Sequence, residues 1–240
     1  MKKLILIMLV VVVSFCTTSC GFLHSNTNNP TSNSIKESIQ QSDDTTNSVN
    51  HSSSTTNDID KVIDNLEIKT EVQSDGNCMA VFITNKNKVV IDELELDVNF
   101  YDSNDKIIDL EEDGHDMLLP DSTVVSRIEM PNNYNRFDTK VSVELGVHNS
   151  YENHSENVDL SYNFGEDCVI VQITNNANVK IDEVEFIVLL YSGDTLVLVE
   201  YPEDISDLES GDTETNKINT YGRQCDKAEV YLNQAHTFGL

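Results

Sequence analysis

The chain has 240 residues, 42 of them acidic and 15 basic, for a net charge of −27 at pH 7. Such a charge repels phosphodiester backbones and anionic lipid surfaces, which excludes the nucleic-acid-binding class and leaves cationic partners and divalent ions. At 38% hydrophobic residues there is still enough apolar material for folded cores.

The first segment reads Lys2-Lys3, an apolar run from Leu4 to Phe15, and then CTTSC. A basic start and about a dozen apolar residues describe a secretory signal, because a membrane-spanning helix needs roughly 20. Thr18 and Ser19 directly before Cys20, with Gly21 after it, resemble the lipobox of bacterial lipoproteins. That resemblance implies a leader over 1–20, a lipid on Cys20, and an extracytoplasmic chain whose first partner is the membrane. Thr17 stands where the lipobox carries an aliphatic residue, which leaves ordinary cleavage or an uncleaved segment as alternatives. Residues 21–57 are Ser-, Thr- and Asn-rich, with few large apolar side chains to offset ordering entropy. They predict a disordered tether, spanning on the order of 30 to 40 Å as a coil.

The remainder repeats once, with CMAVFITN at 78–85 answered by CVIVQITN at 168–175. IDELELDVNFYDSNDKI from Ile91 is likewise answered by IDEVEFIVLLYSGDTLV from Ile181, with one residue fewer in the turn. A period of about 90 residues is domain-sized rather than solenoid-sized. It sets copy one at 58–147 and copy two at 156–240, joined by HNSYENHSEN. Leu94, Leu96, Val98 and Phe100 alternate with Glu93, Glu95, Asp97 and Asn99, the signature of a half-buried antiparallel strand. Strands are expected at 66–72, 78–84, 92–101, 106–111, 123–130 and 140–146, with a turn of helix around DIDKVIDNL. These elements predict an all-β fold of two tandem sandwiches.

Within that pattern VNFYD, Val98 to Asp102, resembles the motif of the FxLYD domain family, and Val188, Leu190, Tyr191 and Ser192 approximate it in copy two. The resemblance implies immunoglobulin-like sandwiches on exported bacterial proteins, and it brings no catalytic residues. Neither a nucleophile-elbow motif nor a zinc-helix motif occurs in the chain, so no enzyme is expected and no cofactor.

Metal binding has two candidate places. DLEEDGHD offers Asp109, Glu111 and Asp113 around Gly114, but as a calcium loop it would place Pro120 where a bidentate Glu is required. It survives as a loose calcium site against a solvated turn, and with it a calcium-stabilised spacer as the alternative function. His148 and His154, with Glu152 between them, could grip a metal at the junction. The cysteines are also open to two readings, because Cys168 and Cys225 could bridge for about 4 kcal/mol of chain-entropy stabilisation or remain thiols.

The copies differ most on one hairpin face. Asp97 becomes Ile187, Asn99 becomes Leu189 and Asp109 becomes Leu198, while Tyr101 persists as Tyr191 and Ile107 becomes Leu196. Pairing Leu189 with Leu198 and Tyr191 with Leu196 would make one apolar patch. The patch predicts a docking surface for a cell-envelope protein partner, or a face covered by copy one or by the tail QAHTFGL.

Overall fold

The computed structural model describes residues 56–146 and 151–239. The leader, Cys20, most of the tether, His148 and Leu240 lie outside them. No helix among the described residues is long and apolar enough to cross a membrane.

Copy one starts with helix α1 (Thr56–Asp64) and continues through β1 (Leu66–Val72), β2 (Cys78–Asn85), β3 (Ile91–Tyr101), β4 (Ile107–Leu118), β5 (Thr123–Glu129) and β6 (Arg136–Glu144). The antiparallel sheets β1-β2-β5 and β4-β3-β6 enclose one core. Period-two alternation sends Met79, Val81 and Ile83 of β2 against Leu94, Leu96, Val98 and Phe100 of β3, all sealed from solvent. Each such side chain contributes about 1.5–3 kcal/mol. Helix α1 closes one end by laying Ile59, Val62 and Ile63, a helical i, i+3, i+4 stripe, on that core.

Copy two contains β7 (Tyr151–Asn153), a short 3-10 turn (Ser155–Asn157), β8 (Val158–Phe164), β9 (Cys168–Asn175), β10 (Ile181–Ser192), β11 (Thr195–Glu200), β12 (Ile205–Leu208), β13 (Thr213–Asn219) and β14 (Lys227–Phe238). Its sheets are β8-β9-β13 and β11-β10-β14-β7, with β12 also paired to β10. The stretch expected to be a polar connector therefore belongs partly to this sheet, since Asn153 pairs with His236.

Two asparagines perform the same task ninety residues apart. Asn85 is fully buried and donates from Nδ2 to the carbonyls of Val89 (2.9 Å) and Leu118 (3.0 Å), while its Oδ1 accepts from Asn87 N–H (2.9 Å). Asn175 donates to Val179 (2.9 Å) and Leu208 (2.8 Å) and accepts from Ala177 N–H (2.8 Å). A buried amide is tolerable only when its bonds are filled in this way. The turn before β5 and β13 matches too, with Asp121 at φ 59° answered by Gly211 at φ 82°, residue types that adopt the left-handed region at low cost.

Two expectations need correction. DLEEDGHD is not a turn: 109–116 lie wholly within β4, which runs to Leu118. In copy two the corresponding strand is split, because Pro202, which lacks an N–H, falls between β11 and β12. The second correction concerns the apolar hairpin, which is not a free surface. Ile187, Leu189, Tyr191 and Leu196 are at most 4% exposed and form one cluster with Val199 and with Ala80, Phe82 and Val125 from the outer face of copy one. Copy one is thus the occupant. The tail does not take that role, since Phe238 is 53% exposed.

Tyr191 does pair with Leu196, but Leu189 pairs with Val199 rather than Leu198. A bulge between Leu190 and Tyr191 inserts one residue into β11 and flips the faces, which turns Leu198 into the core of copy two opposite Leu190. Polar contacts fix the junction. Val125 N–H donates to Asn233 Oδ1 and Asn233 Nδ2 donates to Val125 O, both at 2.9 Å, so one amide replaces a rung on the edge of β5. Gln73 Oε1 accepts from Val199 N–H (2.9 Å), and Ser74 N–H donates to Leu196 O (2.8 Å).

Candidate cation-binding groove

Burying the apolar hairpin brings the acidic faces of the two copies beside one another. A groove of about 710 Å³ runs between them, with Glu93, Glu95, Glu112 and Asp113 on the first side and Glu183 and Glu185 on the second. Glu144, then burial, then Asp116 and Glu95 raise the Glu93 carboxyl above its ordinary value. Burial, followed by Asp204 and Glu183, does the same to Glu185. Like charges held this close disfavour full ionisation, so the groove is suited to neutralisation by a cation.

Two buried histidines stand at its wall. His115 is 5% exposed, its Nε2 lies 2.8 Å from Ser126 Oγ, and burial holds it below the ordinary imidazole range against the opposing pull of Asp113 and Asp116. His236 is 3% exposed, and its ring packs 4.7 Å from Tyr151 and 4.9 Å from Phe238.

The proposed calcium ligands do not converge. Asp109, Glu111 and Asp113 sit on alternate residues of one strand, where neighbours on a face are roughly 7 Å apart at about 3.4 Å per residue. Calcium–oxygen distances of about 2.3–2.6 Å cannot bridge that spread. Asp109 Oδ1 and Asp113 Oδ1 instead accept from the next backbone N–H, at 3.0 Å each. The junctional histidine reading fares no better, because His154 is buried with Nε2 3.2 Å from Thr237 Oγ1, while Glu152 points to solvent. A different group does converge, and composition did not single it out: Glu183, Glu185 and Asp204 offer oxygens within 4.8 Å of one another.

Cys168 and Cys225 are free thiols, as is Cys78. Val169, Val171 and Ile173 point into the core, so strand alternation turns Cys168 to the opposite face, whereas Cys225 packs against that core. Both line a second hollow of about 660 Å³ at the end of copy two, but the bridge weighed from the sequence is not formed.

No protein-family model matches the chain, and no curated protein matches it.

Proposed function

We propose that this chain is a non-enzymatic, extracytoplasmic interaction module, two immunoglobulin-like sandwiches of the FxLYD kind held as one rigid body on a lipid-anchored tether at Cys20. The observation that carries the reading is the covered hairpin: Ile187, Leu189, Tyr191 and Leu196 are buried by copy one. With that apolar surface closed inside the molecule, the groove beside Glu93, Glu95 and Glu185 offers a partner a concentrated acidic surface. Cationic segments of another envelope component have the complementary chemistry, and electrostatic complementarity sets encounter rate and register more than raw affinity. The calcium-stabilised spacer is the weaker reading, since the spread of Asp109, Glu111 and Asp113 along β4 removes its ligand set.

The test has two arms. Full-length protein should fractionate with membranes and yield its folded body to protease added outside the cell, while Cys20→Ala should appear in the soluble fraction. An oligolysine probe should bind the purified protein in a salt-sensitive manner, and Glu93→Lys with Glu95→Lys should abolish binding. A cytoplasmic location, or oligolysine binding indifferent to both salt and the charge reversals, would contradict the proposal.

A further inference from the structure

We propose that Glu183, Glu185, Asp204 and His236 form a site for a divalent first-row transition ion of the zinc type. The site is built by the features that distinguish copy two. Glu183 and Glu185 lie two apart on β10, on one face, and His236 of β14 is the cross-strand partner of Glu183. The break at Pro202 leaves residues 201–204 looped between β11 and β12, and that loop delivers Asp204 to the pair. Copy one has no such break, since β4 is continuous there.

Three carboxylates alone would be unremarkable on so acidic a protein; the decisive observation is His236. Its side chain is buried, and its Nε2 makes no hydrogen bond, although it stands 3.4 Å from Glu183 Oε2, within ion-pair range. Leaving a buried nitrogen without a hydrogen-bond partner is costly, so an unfilled imidazole beside the Glu183 carboxylate calls for a ligand. Its other nitrogen faces the Gln234 amide. The atom facing it is Gln234 Nε2; rotating that amide end for end, so that its oxygen accepts from Nδ1–H, frees the His236 Nε2 lone pair for an ion, an arrangement common among metal-bound histidines. Tyr151 and Phe238 fix the ring plane, and Tyr201 Oη donates to Glu185 Oε2 at 3.3 Å while receiving Asn233 Nδ2 at 3.1 Å. Among the ion pairs of the described residues no Lys or Arg reaches Glu183, Glu185 or Asp204; Lys180 binds Asp182 and Asp207, and Lys227 binds Glu229.

The donor set identifies the class of ion. Calcium and magnesium take oxygen ligands, and copper(I) takes thiolate or thioether, whereas three carboxylates and one imidazole suit zinc or manganese. Because the site opens into the groove where the two copies meet, the ion would also offset the repulsion among Glu183, Glu185 and Asp204.

Full-length protein stripped with a chelator is titrated with zinc chloride by calorimetry, with manganese and calcium chlorides in parallel, and melted with and without zinc. One zinc per chain should bind saturably and raise Tm by several degrees. His236→Gln and Glu183→Gln should each weaken zinc binding by about tenfold or more, while Asp109→Asn leaves it unchanged. Asp204 is exposed on its loop, so Asp204→Ala perturbs ligation without threatening the fold, and it too should lower affinity by about tenfold. Calcium binding as tightly as zinc, or zinc affinity untouched by His236→Gln or Asp204→Ala, would overturn the assignment. So would several weak equivalents that no single substitution alters, the behaviour of a diffuse acidic surface.

Discussion

Replacing Leu189 with alanine probes the contact that makes two sandwiches one body. Leu189 is fully buried, yet it lies in neither sandwich core; it belongs to the cluster formed with Phe82 and Val125 of copy one. Truncating a sealed leucine costs the transfer energy of the lost methyl groups plus that of the residual cavity, about 2–5 kcal/mol in all. For a body of this size each kcal/mol moves Tm by roughly 2–4 °C, so a loss of about 3 kcal/mol lowers it by roughly 6–12 °C. Val179→Ala is the control, because that side chain is 39% exposed and its truncation should cost at most about 0.5 kcal/mol. Scanning calorimetry of the full chain reads both shifts. Leu189→Asp should go further and separate the single transition into two, since it removes the contact while leaving both cores intact. If Leu189→Ala melts within about 2 °C of Val179→Ala, the junction contributes little and the rigid-body argument fails.

Asn85→Ala and Asn175→Ala each delete three buried hydrogen bonds to backbone, at about 0.5–1.5 kcal/mol apiece, and chemical denaturation should show a loss of about 2–4 kcal/mol in either copy. Glu185 titrates above its ordinary value of 4.5, chiefly through burial and then Asp204 and Glu183. The folded state therefore holds its proton longer than the unfolded one, and that stabilisation is present at low pH and lost as pH rises through the folded value. In chelator, the Tm advantage of Glu185→Gln over the native chain should grow from about pH 4 to about pH 7; an advantage independent of pH would show that the carboxyl is not perturbed. With all three described thiols free, a reductant should leave Tm unchanged, whereas a fall of several degrees would reveal a bridge between Cys168 and Cys225.

Much of the architecture was legible because strand alternation and a domain-length repeat are strong, redundant signals. The strands expected at 66–72, 78–84, 92–101 and 123–130 form within one residue of those bounds. Three features escaped, for identifiable physical reasons. Acidic side chains at Glu111, Glu112, Asp113 and Asp116 suggested a solvated turn, but an edge strand with one open side accommodates charge, so β4 continues through them. The bulge at Leu190/Tyr191 leaves no mark on the apolar pattern, yet it exchanges Leu198 for Val199 at the junction. His236 was hidden for another reason: as a lone histidine in QAHTFGL it gains meaning only once β14 places it opposite Glu183. Pro202 was the one available hint, since a proline in copy two where copy one continues a strand marks a place where the chain must leave the sheet.

The divergence of the copies also determines which faces meet. The junction joins the outer face of β1-β2-β5 to that of the β10 sheet, which are different faces of one repeated fold. A head-to-tail contact of this kind propagates into an open array whenever every unit carries both faces. On the outward faces that contact is reproduced only in part. Where copy one presents Phe82 and Val125, copy two presents Gln172 and Thr215; where copy two presents Ile187 and Leu189, copy one presents Asp97 and Asn99. Each outward face is thus more polar than its joined counterpart, although Ile107 and Leu110 on copy one and Ile170 on copy two stay exposed there. Glu93, Glu95 and Asp97 make the β3 part of copy one's outward face acidic. By the same placement they line the groove beside Glu183 and Glu185, where a cation has most to neutralise.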